Sequence, residues 1–327
     1  MKNFHLRIFF AALGLLVVLA GCGVSSSGSG DGSDYPRKAV TLMLPYGAGG
    51  PTDLFFREFA RIAEEHLGQK IIIRNETGGG GLTMYSRLAK AKPDGYTMAA
   101  GMGTTLYSIN PHLELMDNQP EDFDLISSIF EYQHIIAAST DAPYQTFEEF
   151  IEYSKENHVR IASPALTNNI FAELINKEEN YELKWDIISY DSGAEAAAAV
   201  LGGHADIVID APSAMLGSEE AGDLNFLVVL PENKMSTHPD VPTLNEFYDL
   251  SMSAMIGIGG PAGLPDEVIE KWDEAIEKTL KDPELIKFAE NNNYTIVKKS
   301  KEEVQEYFDN QREQFGQVID RVVEKQN

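Results

Sequence analysis

Residues 40–68 read VTLMLPYGAGGPTDLFFREFARIAEEHLG, and this stretch decides the fold. Val40 to Leu44 form a short apolar run of β character, which Pro45 ends. A glycine-rich turn follows, and apolar residues from Leu54 to Leu67 then recur at helical spacing up to Gly68. A strand, a turn and a helix in this order are the repeating unit of a parallel sheet wrapped by helices.

The same unit recurs along the chain, in two groups of similar plan. Further strands are predicted at 71–73, 97–100, 135–139, 160–163, 186–190, 205–209, 226–230 and 254–259. Further helices are predicted at 82–90, 146–156 (with a Thr146/Glu149 capping box), from about 169, and at 193–201, 266–280 and 301–324. The last helices are expected to return to the first group. The pattern predicts an α/β clamshell, with residues 35–135 plus 255–327 in one lobe and 136–254 in the other.

The first 22 residues predict export and a lipid anchor. Lys2 and Arg7 precede an apolar run that ends in Leu-Ala-Gly-Cys, and Cys22 is the only cysteine in 327 residues. This is the order of a signal peptide, here residues 1–21, and its last four residues resemble a bacterial lipobox. The alternative is a chance or buried cysteine behind a plain signal peptide. Residues 22–34 predict a flexible tether, so we expect an extracytoplasmic protein anchored to the bacterial cell membrane by lipid on Cys22.

The acidic composition argues against several classes of partner. The chain has 26 Lys and Arg against 51 Asp and Glu, and loss of Lys2 and Arg7 with the signal peptide leaves 24 against 51, or −27. Such a charge disfavours electrostatic binding of nucleic acid or of an anionic bilayer. The histidines do not cluster, and no nucleophile elbow, zinc-protease helix or Walker loop is present. We therefore predict no metal, no cofactor and no enzyme activity, with an extracytoplasmic hydrolase as the weaker alternative.

Three loops at the carboxyl ends of predicted strands are candidates for a binding site: 45–53, 101–105 and 163–168. Ligands of open α/β sheets bind at such ends, where small residues let the backbone approach and helix starts favour an anion. Ordinary tight turns are the alternative. Two acids have two interpretations each. Asp53 either contributes to the site or complements a helix dipole, and Asp210 either faces the cleft or caps the next turn.

Several motifs in a fixed order resemble the tripartite tricarboxylate transporter receptors, also called the Bug family. They are PYGAGGPTD at 45–53, NETGGGG at 75–81, KPDGY at 92–96, Ser163-Pro, GGHAD at 202–206, HPDVPT at 238–243 and GPAGLP at 260–265. The resemblance covers residue 35 to the C-terminus. It implies a periplasmic-binding-protein-like (type II) clamshell, in which each lobe has a mixed, mostly parallel sheet wrapped by helices.

The resemblance also implies a function. A monomeric receptor would close its lobes around a small carboxylated solute and deliver it to the permease of a tripartite tricarboxylate-type transporter. The alternative is a receptor of the same fold that feeds a sensor kinase. The residues expected to bind the ligand are Tyr46, Gly47, Ala48, Gly49, Gly50, Thr52, Asp53, Thr104, Thr105, Ser163, Thr167, Asn168, Tyr190, Asp191 and Asp210.

Asp191 departs from the family pattern, because many members carry a basic residue after the tyrosine matched by Tyr190. A bare di- or tricarboxylate held near Asp191 would be repelled. We therefore expect a ligand with one carboxylate and with a neutral or cationic group that faces Asp191. If Asp191 instead points to solvent, citrate-like polycarboxylates are again the expected ligands.

Overall fold

Two mixed β-sheets with flanking helices form the frame of the protein. The structure is a computed structural model, and it describes residues 35–78, 81–292 and 294–326. The strands are β1 (Val40–Leu44), β2 (Ile71–Asn75), β3 (Thr97–Gly103), β4 (Phe123–Tyr132), β5 (Ile135–Ser139), β6 (Val159–Ser163), β7 (Trp185–Ser189), β8 (Ile207–Asp210), β9 (Leu224–Val229), β10 (Ala254–Pro261) and β11 (Thr295–Ile296). The first sheet has the order β11-β4-β10-β3-β1-β2, and the second has the order β7-β6-β8-β5-β9.

The two sheets share one plan. In the first, β1 pairs in parallel with β2 and β3, and β10 runs antiparallel between β3 and β4. In the second, β6 pairs in parallel with β7 and β8, and β5 runs antiparallel between β8 and β9. Each antiparallel strand is the first strand after the chain crosses from the other sheet. This confirms the predicted two-lobed clamshell, whose lobes are joined by crossings at 133–134 and 230–253.

Helices flank the two sheets and alternate with the strands along much of the chain. The longer ones are α1 (Pro51–Leu67), α4 (Phe147–Glu156), α5 (Leu166–Glu178), α6 (Gly193–Leu201), α8 (Asp266–Leu280), α9 (Pro283–Asn291), α10 (Lys301–Gly316) and α11 (Ile319–Gln326). The shorter ones are α2 (Leu82–Leu88), α3 (Asn110–Leu113), α7 (Leu216–Glu220) and a π-helical turn at Thr105–Ile109. As its spacing predicts, α1 buries one face, including Phe55 and Phe59, and Gly68 ends it with a φ of 84°.

Sequence periodicity missed several short elements and two longer ones, β4 and α9. Strand β4 is buried on both faces, so its residues do not alternate, and Ser127 and Ser128 interrupt the apolar run. Both hydroxyls donate to carbonyl groups of residues 297–299, which satisfies them inside the sheet. Helix α9 was also missed, although Asp282 caps it and Pro283 occupies its first turn.

Two predicted helix boundaries and one predicted capping box need correction. The predicted helix at 301–324 is two helices, with a break at 317–318. Helix α5 begins at Leu166 and not near Asn169, so Thr167 and Asn168 lie in its first turn. The Thr146 hydroxyl accepts from the Glu149 N–H, as predicted. The Glu149 carboxylate, however, accepts from the Gln145 N–H at 2.7 Å and not from Thr146, so the capping box is incomplete.

The end of the chain contacts both lobes. Helix α10 packs against β4 and the π-helical turn of the first lobe, whereas α11 packs against α5 of the second. Ile319 and Val322 of α11 are buried in the same apolar cluster as Phe171 of α5. The lobe bounds 35–135 plus 255–327 and 136–254 stay a prediction. Because α11 packs against the second lobe, its packing concerns the predicted end of the first lobe at residue 327.

The predicted signal peptide at 1–21, the lipid attachment at Cys22 and the tether at 22–34 lie outside the described residues. Within the described ranges, no helix combines the length and apolar character needed to span a membrane.

Candidate functional site

A cleft of about 710 Å³ lies between the two sheets, at the ends of their strands. Both lobes contribute to its wall, so a solute in the cleft would contact both. The first lobe supplies Tyr46, Gly47, Ala48, Gly50, Thr52 and Tyr132, the first crossing supplies His134, and the second lobe supplies Ala165, Gly193, Ala194, Asp210, Ala211, Ser213 and Ala214.

The loop after β1 is fixed from below by two glycines. Gly81 has a φ of 102°, and a Cβ added there would lie 2.9 Å from the Pro45 Cβ. Gly101 has a φ of 84°, and its added Cβ would lie 2.7 Å from the Pro45 Cδ. Only glycine combines these left-handed conformations with such close approach. Gly81 and Gly101 therefore set the position of the turn that begins at Pro45.

Asp53 fixes the same turn from its other side. Its buried carboxylate accepts hydrogen bonds at 2.8 Å from the Gly49 N–H, from Arg57 Nε and from Asn75 Nδ2. Asn75 Nδ2 also donates to the Tyr46 carbonyl at 2.9 Å. Burial works to raise the pKa of Asp53, but the hydrogen bonds from Arg57, Gly49 and Asn75 outweigh it and hold the pKa below its ordinary value. Asp53 is thus an ionised anchor of the turn.

The start of α1 presents hydrogen-bond donors to the cleft. Gly50 precedes the helix and offers no capping side chain, so the N–H groups of the first turn lack a side-chain acceptor. The Thr52 hydroxyl forms a short hydrogen bond with the Tyr132 hydroxyl at the cleft wall. Desolvation raises the pKa of Tyr46 to about 12 and that of Tyr132 still further. Both phenols are therefore neutral donors at physiological pH.

The start of α5 makes a similar contribution from the second lobe. Ala165 precedes this helix, lines the cleft and has no side chain that could cap it. The Ser163 hydroxyl donates to the Ala165 carbonyl at 3.1 Å and so holds the turn that leads into α5. Two uncapped helix starts, one from each lobe, therefore lie at the same cleft, and such ends favour an anion.

His134 lies in the first crossing between the lobes and is 7% exposed. Burial lowers its pKa to about 4, against a smaller opposing effect of the Tyr132 backbone, so the ring is neutral at physiological pH. Its Nδ1 atom is buried and finds no hydrogen-bond partner within the described ranges. Buried polar atoms in proteins are nearly always paired, so this nitrogen has an unused capacity for a hydrogen bond beside the cleft.

Asp210 ends β8 and faces the cleft, which decides between its two predicted orientations. Its Oδ1 accepts a long hydrogen bond of 3.4 Å from Asn168 Nδ2. A Cβ added to Gly193, the first residue of α6, would lie only 1.8 Å from Asp210 Oδ2. Burial raises the pKa of Asp210 to about 6, although hydrogen bonds from the Ala211 backbone and Asn168 oppose this. The carboxyl group is therefore packed tightly against the start of α6.

The wall of the cleft is mostly small and uncharged. Five of its residues are alanine and three are glycine, and no lysine or arginine is among the described residues that line it. A solute carboxylate must therefore be held by N–H groups and hydroxyls, since no basic side chain is available.

Six of the predicted binding residues line the cleft: Tyr46, Gly47, Ala48, Gly50, Thr52 and Asp210. The structure places the other nine behind or beside it. Gly49 and Asp53 bond to each other below the turn, and Thr104 is buried with an unpaired hydroxyl. Thr105 lies in the π-helical turn, and Ser163, Thr167 and Asn168 lie around the start of α5. Tyr190 lines a separate pocket together with His204, and Asp191 is exposed.

Eight residues of the wall were not among the predicted binding residues, although one of them, Ala165, lies in the predicted loop 163–168. Tyr132 and His134 depend on β4, which the periodicity did not show. The turn at 211–214 follows β8 directly, and the rule that ligands bind beyond strand ends could have included it. Ala165, Gly193 and Ala194 have no functional group that sequence reasoning could have recognised. They contribute to the cleft by being small.

Two similar lobes around a cleft define a solute-binding protein of the periplasmic-binding-protein-like type. The chain matches the family model "Tripartite tricarboxylate transporter family receptor" over residues 55–323, and it therefore belongs to that family. The resemblance predicted from the motifs is confirmed, and the family is one of receptors and not of enzymes.

Individual proteins similar to this one match it over most of its length, as the family model does. The UPF0065 protein in the gbd 5′ region of Cupriavidus necator is 27% identical over 85% of each chain. A TctC solute-binding protein from Polaromonas, solved without ligand, is 26% identical, with a TM-score of 0.77 over 88% of this chain and 99% of its own. A Rhodopseudomonas palustris protein with bound malate shares the fold, with 21% identity and a TM-score of 0.70 over 87% of this chain and 100% of its own.

Proposed function

We propose that this protein is a lipid-anchored, monomeric receptor outside the cytoplasm. It captures a small carboxylated solute between its lobes and delivers it to the permease of a tripartite tricarboxylate-type transporter. The observation that carries the proposal is the cleft with an uncapped helix start on each side, α1 at Gly50 and α5 at Ala165. Family membership supports the transport role.

The wall chemistry supports a carboxylate as the group that is bound. Helix starts supply N–H donors, and the hydroxyls of Thr52, Tyr132 and Ser213 line the same space. Malate in the similar Rhodopseudomonas palustris structure is a carboxylate. The large negative charge of the chain does not prevent this, because charges on the surface are screened beyond about 8 Å at physiological salt.

Closure is the proposed signal to the permease. A solute that contacts both lobes binds the closed form more tightly than the open form and so increases the closed population. We place the bending at 133–134 and near Ser253, where the chain passes from one sheet to the other, because Leu230, Leu244 and Met252 pack in the core of the second lobe.

The test combines thermal unfolding with small-angle scattering. The mature chain is mixed with a panel of matched straight-chain mono-, di- and aminocarboxylates and with citrate. A true ligand at a hundredfold excess over its Kd should stabilise the protein by about 2.7 kcal/mol and should reduce its radius of gyration. If no member of the panel stabilises the protein, the proposed function is wrong.

A pair of variants locates the site. Thr52→Val removes a hydroxyl from the cleft wall and should weaken binding about three- to tenfold, the usual value of one hydrogen bond. Thr41→Val makes the same change on β1, away from the cleft, and should leave the affinity unchanged. Equal effects of the two variants would place the ligand elsewhere.

A further inference from the structure

Different helix starts around the cleft offer different charges to a bound solute. The start of α1 in the first lobe and the start of α5 in the second have no capping side chain and are free to hold an anion. The start of α6, also in the second lobe, is already capped by the Ser192 hydroxyl, which accepts from the Glu195 N–H at 3.3 Å. The Asp210 carboxyl group lies against the same helix start at Gly193. An anion therefore has two favourable positions and one unfavourable one.

Asp210 has no cationic partner within the described part of the protein. Its contacts are the Asn168 amide, the Ala211 backbone and the close approach to Gly193. An ionised carboxylate only accepts hydrogen bonds, and a partly buried one is costly unless it is paired. On its cleft side, the Asp210 carboxylate thus has no hydrogen-bond donor among the described residues. A cationic donor would stabilise it most.

His134 supplies a second, independent sign that a ligand group belongs at this wall. Its ring is 7% exposed and its Nδ1 is without a partner among the described residues, yet it lines the same cleft as Asp210. A neutral imidazole nitrogen is suited to exchange a hydrogen bond with an amine or amide of the solute. It offers no charge that would compensate a second carboxylate beside Asp210.

We propose that the solute carries a cationic nitrogen as well as a carboxylate. The carboxylate lies at the starts of α1 and α5, and the nitrogen donates to the Asp210 carboxylate. This inference rests on the proposed function and names the solute class for the same cleft. It assigns to Asp210 the role that was predicted for Asp191, which is exposed and is not among the described residues of the cleft wall.

The alternative is a dicarboxylate whose second carboxylate accepts from a protonated Asp210. The two cases respond to pH in opposite directions. The other titratable side chains of the wall are Tyr46 and Tyr132, whose pKa values are raised, and His134, whose pKa is lowered to about 4. The Glu195 carboxylate, in the first turn of α6, accepts from the Asp191 N–H. Among the described wall residues, Asp210 is therefore the one that changes charge between about pH 5.5 and about pH 7.5.

The test measures affinity by calorimetry for three probes of matched length: adipate, 6-aminohexanoate and hexanoate, with the shorter four- and five-carbon sets in parallel. With wild-type protein at about pH 7.5, the aminocarboxylate should bind best within a set. Its affinity should fall about fourfold at about pH 5.5, as Asp210 takes up a proton. Asp210→Asn should weaken it about tenfold or more and should abolish the pH effect. Asp141→Asn, an exposed aspartate just beyond the far end of β5, should change neither.

Each other outcome has a distinct meaning. Preference for the dicarboxylate at neutral pH, affinity that rises as the pH falls, or an unchanged affinity in Asp210→Asn would overturn the inference and leave the proposed function in place. If no probe of any class binds to a correctly folded protein, the proposed function fails, and the inference fails with it.

Discussion

At the scale of single residues, the buried Asp53 behind the cleft and the half-buried Asp210 in its wall have opposite environments. Asp53 accepts three hydrogen bonds, one of them from Arg57, and its pKa is held low. Asp210 has a weak amide contact and no cation among the described residues, and its pKa is raised to about 6. The first shapes the turn that forms the site, whereas the second is available to a ligand.

The role of Asp53 can be tested through stability. Asp53→Asn removes the charged acceptor for the Gly49 N–H and Arg57, and the free energy of unfolding should fall by about 1–3 kcal/mol at neutral pH. Since the pKa of Asp53 is lower in the folded chain than in the unfolded chain, its contribution is present above about pH 4 and is lost as the pH falls through the folded value.

Urea denaturation at several pH values measures this effect. Asp117→Asn, which makes the same change at an exposed position of the first lobe, should stay within about 0.5 kcal/mol of the wild type. If Asp53→Asn and Asp117→Asn have the same stability at neutral pH, the turn does not depend on this carboxylate.

At the scale of elements, the last two helices connect the lobes a third time. In α10, Gln311 Nε2 donates to the Ser253 carbonyl at 2.9 Å, and the Tyr307 hydroxyl donates to the same carbonyl at 2.8 Å. Ser253 lies at the end of the second crossing, directly before β10. Helix α11 then packs on α5 of the second lobe. The proposed closure of the lobes would therefore require bending at the break at 317–318 as well as at the two crossings.

The attachment of α11 gives a prediction at this scale. Arg321 Nε donates to the fully buried Glu173 carboxylate of α5 at 2.9 Å, and its guanidinium lies 4.4 Å from the Tyr181 ring centroid. Arg321→Met keeps an apolar stem but removes the charge. It should lower the free energy of unfolding by about 2 kcal/mol, because a buried carboxylate loses its charged donor.

Arg312→Met on α10 is the matched control, because its partner Asp309 is an exposed neighbour on the same helix. That pair should contribute less than about 0.5 kcal/mol. Equal losses for the two variants would mean that α11 is not held to the second lobe through Glu173.

At the scale of the whole molecule, the net charge bears on the proposed lipid anchor. The predicted mature chain has a net charge of −27 and would be repelled by an anionic membrane surface, so the lipid proposed on Cys22 is what would hold it there. Cys22→Ser should therefore release the protein into the soluble fraction. Membrane fractionation after a salt wash measures this, with Ser27→Ala in the tether as a control that keeps the anchor. A Cys22→Ser protein that still sediments with membranes would exclude the lipid as its anchor.

The sequence by itself determined the features that depend on neighbours along the chain. Strand β1, its turn and helix α1 are visible in one continuous stretch, because apolar spacing and glycine positions act locally. The order and spacing of the seven motifs from Pro45 to Pro265 identified the family and its two-lobed fold. They also identified the loop residues Tyr46, Gly47, Ala48, Gly50 and Thr52, which line the cleft.

Only the tertiary structure decided which side chains face that cleft. Thr52 meets Tyr132 across 80 positions of sequence, and Asn168 meets Asp210 across 42, and no local pattern encodes such pairs. Asp191 and Asp210 both follow or end strands of the second sheet, yet one is exposed and the other is packed against Gly193. The physical reason is that orientation at a strand end depends on the helix packed above it, and here the absence of a Cβ at Gly193 makes room for the carboxyl group of Asp210.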